Sequence, residues 1–160
     1  AGATYAAENG FHFMSLGPPG LTSQLNNLYR EVAARHPEEA QMMNAGALKL
    51  GANRQLFIAE TETEALAIAK PAYEYWYKSI TELWHRNSDH AYDDFFRWES
   101  CLAGESILVG SVDKVREQIQ QLVAECGINY FIGSFAWGSL TPEQSRRSLE
   151  LFISEIVPNV

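Results

Sequence analysis

The chain has 160 residues, of which 46% are hydrophobic, 12% aromatic and 20% charged, an ordinary globular composition with enough apolar residues for one core. Its formal net charge is −8, with 12 Lys and Arg scattered rather than massed, which argues against a nucleic-acid partner. No run approaches the ~18 apolar residues of a membrane span, so no membrane partner is expected either. The opening "AGATYAAENG" lacks the charged start and long apolar stretch of a signal peptide. Cys101 and Cys126 form no CxxC and no Cys/His ligand cluster, which reads as a reduced, cytoplasmic protein.

Taken in chain order, "FHFMSLG" (11–17) is a short apolar run closed by Gly17-Pro18-Pro19-Gly20, a strand followed by a turn. The next segment places Leu25, Leu28, Tyr29 and Val32 at helical spacing, with Thr22 or Ser23 as its expected cap. "RQLFIAE" (54–60) is the second strand. Thr61 and Glu64 then form a capping-box signature ahead of a helix that contains Pro71, where a kink or a break is expected.

From 85 to 106 periodicity fades, and this stretch reads as a long excursion with a short helix around Phe95 to Trp98. A helix over 110–127 follows, with Ser111 as cap, Val115, Ile119 and Leu122 on one face, and Gly127 as its end. "INYFIGSF" (128–135) is the third strand. Thr141, Pro142 and Gln144 supply cap, first-turn proline and capping-box partner for the last helix, whose expected apolar face is Leu149, Phe152, Ile153 and Ile156.

Alternating strands and helices imply an α/β fold with parallel strands and right-handed crossovers. There is no GxGxxG or Walker pattern to open a doubly wound sheet. A closed (β/α)8 barrel takes roughly 250 residues, and this chain supplies about three of eight units, like the tail of such a barrel.

"LFIAETETEALAIAK", "VGSVDKVREQI", "GINYFIGSFAWGSLTPEQ" and "RSLELFISEIVP" resemble, in order and spacing, the C-terminal part of the bacterial luciferase-like flavin-dependent monooxygenases. "AAENGFHFMSLG" matches the sixth strand of that family with the end of the helix before it. The resemblance implies the C-terminal portion, about strands 6–8 with their helices, of a luciferase-like (β/α)8 TIM barrel, as a single partial-barrel domain over 1–160. It implies a cytoplasmic oxidoreductase acting on a small-molecule organic substrate with reduced FMN and oxygen, or with a deazaflavin passing hydride.

By the same resemblance, three places are cofactor-binding candidates. They are the turn Ser15-Leu16-Gly17 near the flavin phosphate, Trp76 in "YEYWYKS" beside the isoalloxazine, and Trp137 in "FAWG" after the last strand, aimed toward flavin or substrate. A plain turn, for the first, and aromatic packing, for the two tryptophans, are the rival readings. No catalytic residue is assigned. The excursion 85–106 matches the family's lid, which shields reactive intermediates from water. "HRNSDH" within it admits a metal reading, but solvated loop polarity is the stronger one, and no metal site is expected.

The isolated chain is expected to be inactive. Exposed parallel edges favour pairing with another chain, as a homo-oligomer or with a complementing half of the barrel. A catalytically inactive half-barrel that self-associates is therefore the rival to the enzyme.

Overall fold

The computed structural model describes residues 1–38 and 48–160. They form two compact units, Ala1–Asn53 with Gln120–Ile132, and Arg54–Ile119 with Gly133–Val160.

In the first unit, helix α1 (Gly2–Glu8) turns at Gly10, whose φ is +66°, into strand β1 (Phe13–Ser15). Helix α2 spans Pro19–Ala33 and starts earlier than the cap expected at Thr22 or Ser23. The reason is Pro19, whose fixed φ suits the first helical turn. Thr22 is instead fully buried, and its hydroxyl donates to the Gly17 carbonyl and lies 2.9 Å from Ser15 Oγ.

The buried face of α2 is Thr22, Asn26, Tyr29 and Val32, while Leu28 is 37% exposed. Asn26 earns its burial by donating to the Cys126 carbonyl at 2.9 Å. Tyr29, Val32, Ala6, Ala7 and Leu50 form the core of this unit. Strand β2 (Leu50–Ala59) begins here and pairs in parallel with β1, Phe13 opposite Leu50 and Ser15 opposite Ala52. Asn129 fixes its start by accepting from Leu50 N–H at 2.9 Å and donating to the Leu48 carbonyl at 2.7 Å.

In the second unit, β2 pairs in parallel with a strand that sequence reading did not resolve, β3 (Ile107–Ser111), in register Gln55–Ile107 to Ala59–Ser111. Ile107, Leu108 and Val109 are too few to show a period, and Ser111 beside them signals a helix start. The ladder with β2 decides the matter. Helix α3 (Glu62–Arg86) starts at Thr61, whose hydroxyl accepts from Glu64 N–H at 3.2 Å.

Helix α3 runs unbroken through Pro71, contrary to a break there. An interior proline costs about 3 kcal/mol. Burial of Ala65, Ala69, Ala72 and Tyr73 along the same face offsets it. The excursion is helical in its second half: α4 (Asp93–Phe96) and α5 (Trp98–Ala103) follow, with Trp98 and Cys101 part of the core rather than outside it.

Helix α6 (Val112–Cys126) buries Val115, Ile119 and Leu122 as expected, and ends at Gly127 with φ +57°. Strand β4 (Tyr130–Ser134) also pairs with β2. Helix α7 (Pro142–Leu151) has the full capping box, with Gln144 N–H to Thr141 Oγ1 at 3.2 Å and Thr141 N–H to Gln144 Oε1 at 2.9 Å.

The buried face of α7 differs from expectation. Leu149 and Ile153 are exposed, whereas Ser148, Leu151 and Ile156 are buried. Ser148 and Leu151, three apart, set the buried face within the α-helix, and a π-helical turn over Phe152–Ile156 carries Ile156 onto it five residues after Leu151. Among the described residues no helix is long and apolar enough to cross a membrane, and both cysteines are buried thiols outside any disulfide.

Candidate functional site

The Ser15-Leu16-Gly17 turn belongs to the first unit. Ser15 is buried, and its hydroxyl accepts from Gly17 N–H at 3.1 Å, so this amide is held inside the turn. A Cβ on Gly17 would stand 2.7 Å from Leu21 Cδ2, so the glycine lets Leu21 close over the turn. Leu16 projects outward, 65% exposed.

Trp76 and Trp137 come together in the second unit around one tyrosine. Tyr73, fully enclosed, meets Trp76 at 5.1 Å, Trp98 at 5.5 Å and Trp137 edge-on at 6.1 Å between ring centroids. Its hydroxyl lies 3.0 Å from the Phe96 carbonyl and 3.2 Å from Cys101 Sγ. Burial, and then the Cys101 partner, push this phenol far above its ordinary value; burial pushes the Cys101 thiol up as well.

Trp137 sits within this core, 7% exposed, with its indole N–H given to the Leu56 carbonyl at 3.2 Å. It is held there by Gly138, whose φ of +60° and contact with the Ala72 carbonyl leave no room for a Cβ. Trp76 is only partly buried and stands edge-on to Phe96 at 6.0 Å. Of the two tryptophans, Trp76 is the less buried.

Two further groupings lie in the second unit; the first escaped the sequence reading, and the second includes the "HRNSDH" histidines that it read as solvated loop polarity. The first is a cavity of about 340 Å³ beside the carboxyl end of β2, lined by Phe57, Ala59, Ile68 and Leu151 and by Glu60, Glu64, Glu143 and Arg147. Ligand sites of α/β folds gather outside the carboxyl ends of strands, and Glu60 directly after an apolar run was the available signal. Arg147 is paired with Glu60, so three carboxylates face one committed cation. Such a lining repels phosphate and suits an uncharged or cationic small group.

The second grouping is His85, His90 and Asp93. Asp93 Oδ1 lies 2.6 Å from His85 Nε2 and Oδ2 lies 2.9 Å from His90 Nδ1. His85, then His90, hold the Asp93 carboxyl well below the usual carboxylate range. The spacing His-x4-His-x2-Asp was visible in the sequence, but convergence of the three was not.

No family model matches the chain. An uncharacterized protein of Sinorhizobium fredii, y4wF, is 23% identical over 159 residues, which is 99% of this chain and 45% of the relative. Among solved structures, the monooxygenase RslO1 from Streptomyces bottropensis superposes with a TM-score of 0.70 at 20% identity, over 98% of this chain and 44% of its own. The oxygenating constituent of 3,6-diketocamphane monooxygenase from Pseudomonas putida, a type II Baeyer-Villiger enzyme in complex with FMN, also gives 0.70, at 22% identity over 99% and 45%. The coenzyme F420-dependent tetrahydromethanopterin reductase of Methanopyrus kandleri gives 0.58 at 16% identity over 98% and 47%.

At these identities the likeness is one of fold. The chain has the fold of the C-terminal part of a luciferase-like (β/α)8 barrel, and it spans about half the length of the curated relative and of these structures.

Proposed function

We propose that this chain is part of a luciferase-like flavin-dependent oxidoreductase that oxidises a small organic substrate with reduced FMN and oxygen. The observation that carries the reading is the likeness over 99% of the chain to a monooxygenase solved with FMN. Support for FMN comes from 3,6-diketocamphane monooxygenase, whose structure holds FMN, while the F420-dependent reductase keeps a deazaflavin as the alternative. Reduced flavin, when bound, supplies the electrons.

The chain's own residues contribute positioning in this reading. Trp76 offers an aromatic wall for the ring system, and Trp137 backs the cluster from inside the core. The Ser15-Leu16-Gly17 turn borders the flavin phosphate, which the acidic cavity at the end of β2 does not suit. Residues 85–106 shield the site from water.

The isolated chain is inactive in this proposal, since it corresponds to about 45% of each of the two monooxygenases. A self-associating half-barrel, or one completed by another polypeptide, is the second reading, favoured by that same share of length. Titrating FMN and a deazaflavin into the chain, following flavin fluorescence, tests the cofactor. FMN is expected to bind weakly and to be quenched, with no substrate oxidation under reduced FMN and oxygen. No binding of either at about 1 mM, where association is worth only about 4 kcal/mol, would sink the flavin reading. Substrate oxidation by the chain alone would overturn its inactivity. Native mass beside denatured mass distinguishes self-association from a monomer.

A further inference from the structure

The segment that joins α3 to α4 gathers metal-ligand chemistry apart from the flavin reading. His85 is next to last in α3, His90 lies in the turn beyond it, and Asp93 opens α4. Their imidazoles stack with centroids 4.7 Å apart and 26° between planes, both turned to the one carboxylate. One ligand atom from each of the three lies within 4.8 Å of the other two.

We propose that His85, His90 and Asp93 form a binding site for a borderline divalent cation, zinc in the first instance, that bolts the end of α3 to α4. Two imidazole nitrogens and a carboxylate oxygen are a zinc donor set, and the four residues between the histidines fall within the usual spacing of such ligand pairs. Bonds of zinc length place tetrahedral ligand atoms about 3.4 Å apart. The two imidazole nitrogens already reach different oxygens of Asp93, at 2.6 and 2.9 Å, so loading the metal replaces these hydrogen bonds and opens the three groups outward to that separation.

The pocket is open on one side and closed on the other. His90 is 61% exposed and Asp93 19%, which leaves an entry path and a fourth position for water. Tyr77 stands beside His85, with ring centroids 6.2 Å apart and edge-on, a packing support for the orientation of that imidazole. The neighbouring acids are otherwise engaged, Asp89 by the Ala91 amide and Asp94 by Arg97.

The test uses the tag-free chain, stripped with a chelator and then titrated with Zn2+ by calorimetry and with Co2+ by visible absorption. One equivalent of Zn2+ at micromolar affinity and the intense Co2+ bands of a four-coordinate site are expected. His90→Ala, at an exposed position that leaves the fold intact, is expected to weaken Zn2+ binding at least roughly tenfold, as is Asp93→Asn. Absence of heat and of Co2+ bands overturns the proposal and leaves the trio as a hydrogen-bonded latch. So does Zn2+ binding that His90→Ala leaves unchanged.

Discussion

The Ser148 hydroxyl on α7 accepts the Ile58 N–H of β2 at 2.9 Å, with Ser148 wholly out of solvent. A helix side chain thus completes the hydrogen bonding of a strand. Removing it strands a buried donor, which costs about 1–3 kcal/mol. Ser148→Ala is therefore expected to lower the unfolding free energy by that amount in urea titration, seen as a lower midpoint with an unchanged m-value. A variant as stable as the parent would mean that Ile58 finds another acceptor.

Gly138 and Gly20 make a matched pair. At Gly138 a Cβ would lie 1.8 Å from the Ala72 carbonyl oxygen in a left-handed backbone, whereas at Gly20 nothing stands within 4 Å. Gly138→Ala is expected to cost more than about 2 kcal/mol or abolish soluble expression. Gly20→Ala, inside α2, is expected to stabilise by about 0.4–1 kcal/mol. Thermal melts of the two variants check both signs.

The Cys101 thiol is buried and its ionisation is pushed up, so the reactive thiolate is scarce at neutral pH. Cys126 is buried too. Neither is expected to react promptly with a thiol reagent between pH 7 and 8, and both react once guanidinium unfolds the chain. Raising the pH within that range brings little gain, because the folded thiol ionises above its ordinary value. Rapid labelling of Cys101 under native conditions would contradict the packing around Tyr73.

The two tryptophans separate by readout. Trp137→Phe removes the bond to the Leu56 carbonyl and is expected to cost about 1–3 kcal/mol of stability. Trp76→Ala is expected to reduce FMN quenching more than its stability loss accounts for. Equal effects of both on stability, with none on quenching, would make Trp76 a packing residue only.

Much of this fold was legible because local rules decide it. Val115, Ile119 and Leu122 repeat at helical spacing, Gly127 ends their helix, and the Thr141–Gln144 capping box reads directly from four residues. What escaped depends on partners far along the chain. Thr22, Asn26 and Ser148 look like surface polar residues until the Gly17 and Cys126 carbonyls and the Ile58 amide come to them. Arg54 is buried on β2 with its Nε donating to the Glu105 carbonyl, a pairing no window of sequence displays. The ladder that makes β3 a strand is likewise invisible in five residues. Trp76 and Trp137, named from the sequence, share one aromatic cluster, but the carboxylates beside the end of β2 were not named, since sequence order hides which helices flank a strand end.

The π-helical turn over Phe152–Ile156 makes the two directions of length change unequal here. Because Leu151 and Ile156 share a buried face at a separation of five, loss of one intervening residue returns them to an α-helical four and keeps both inside. Gain of one residue moves Ile156 off that face. The C-terminal helix therefore carries a spare residue, and insertions and deletions arising in a population would be filtered asymmetrically at this point.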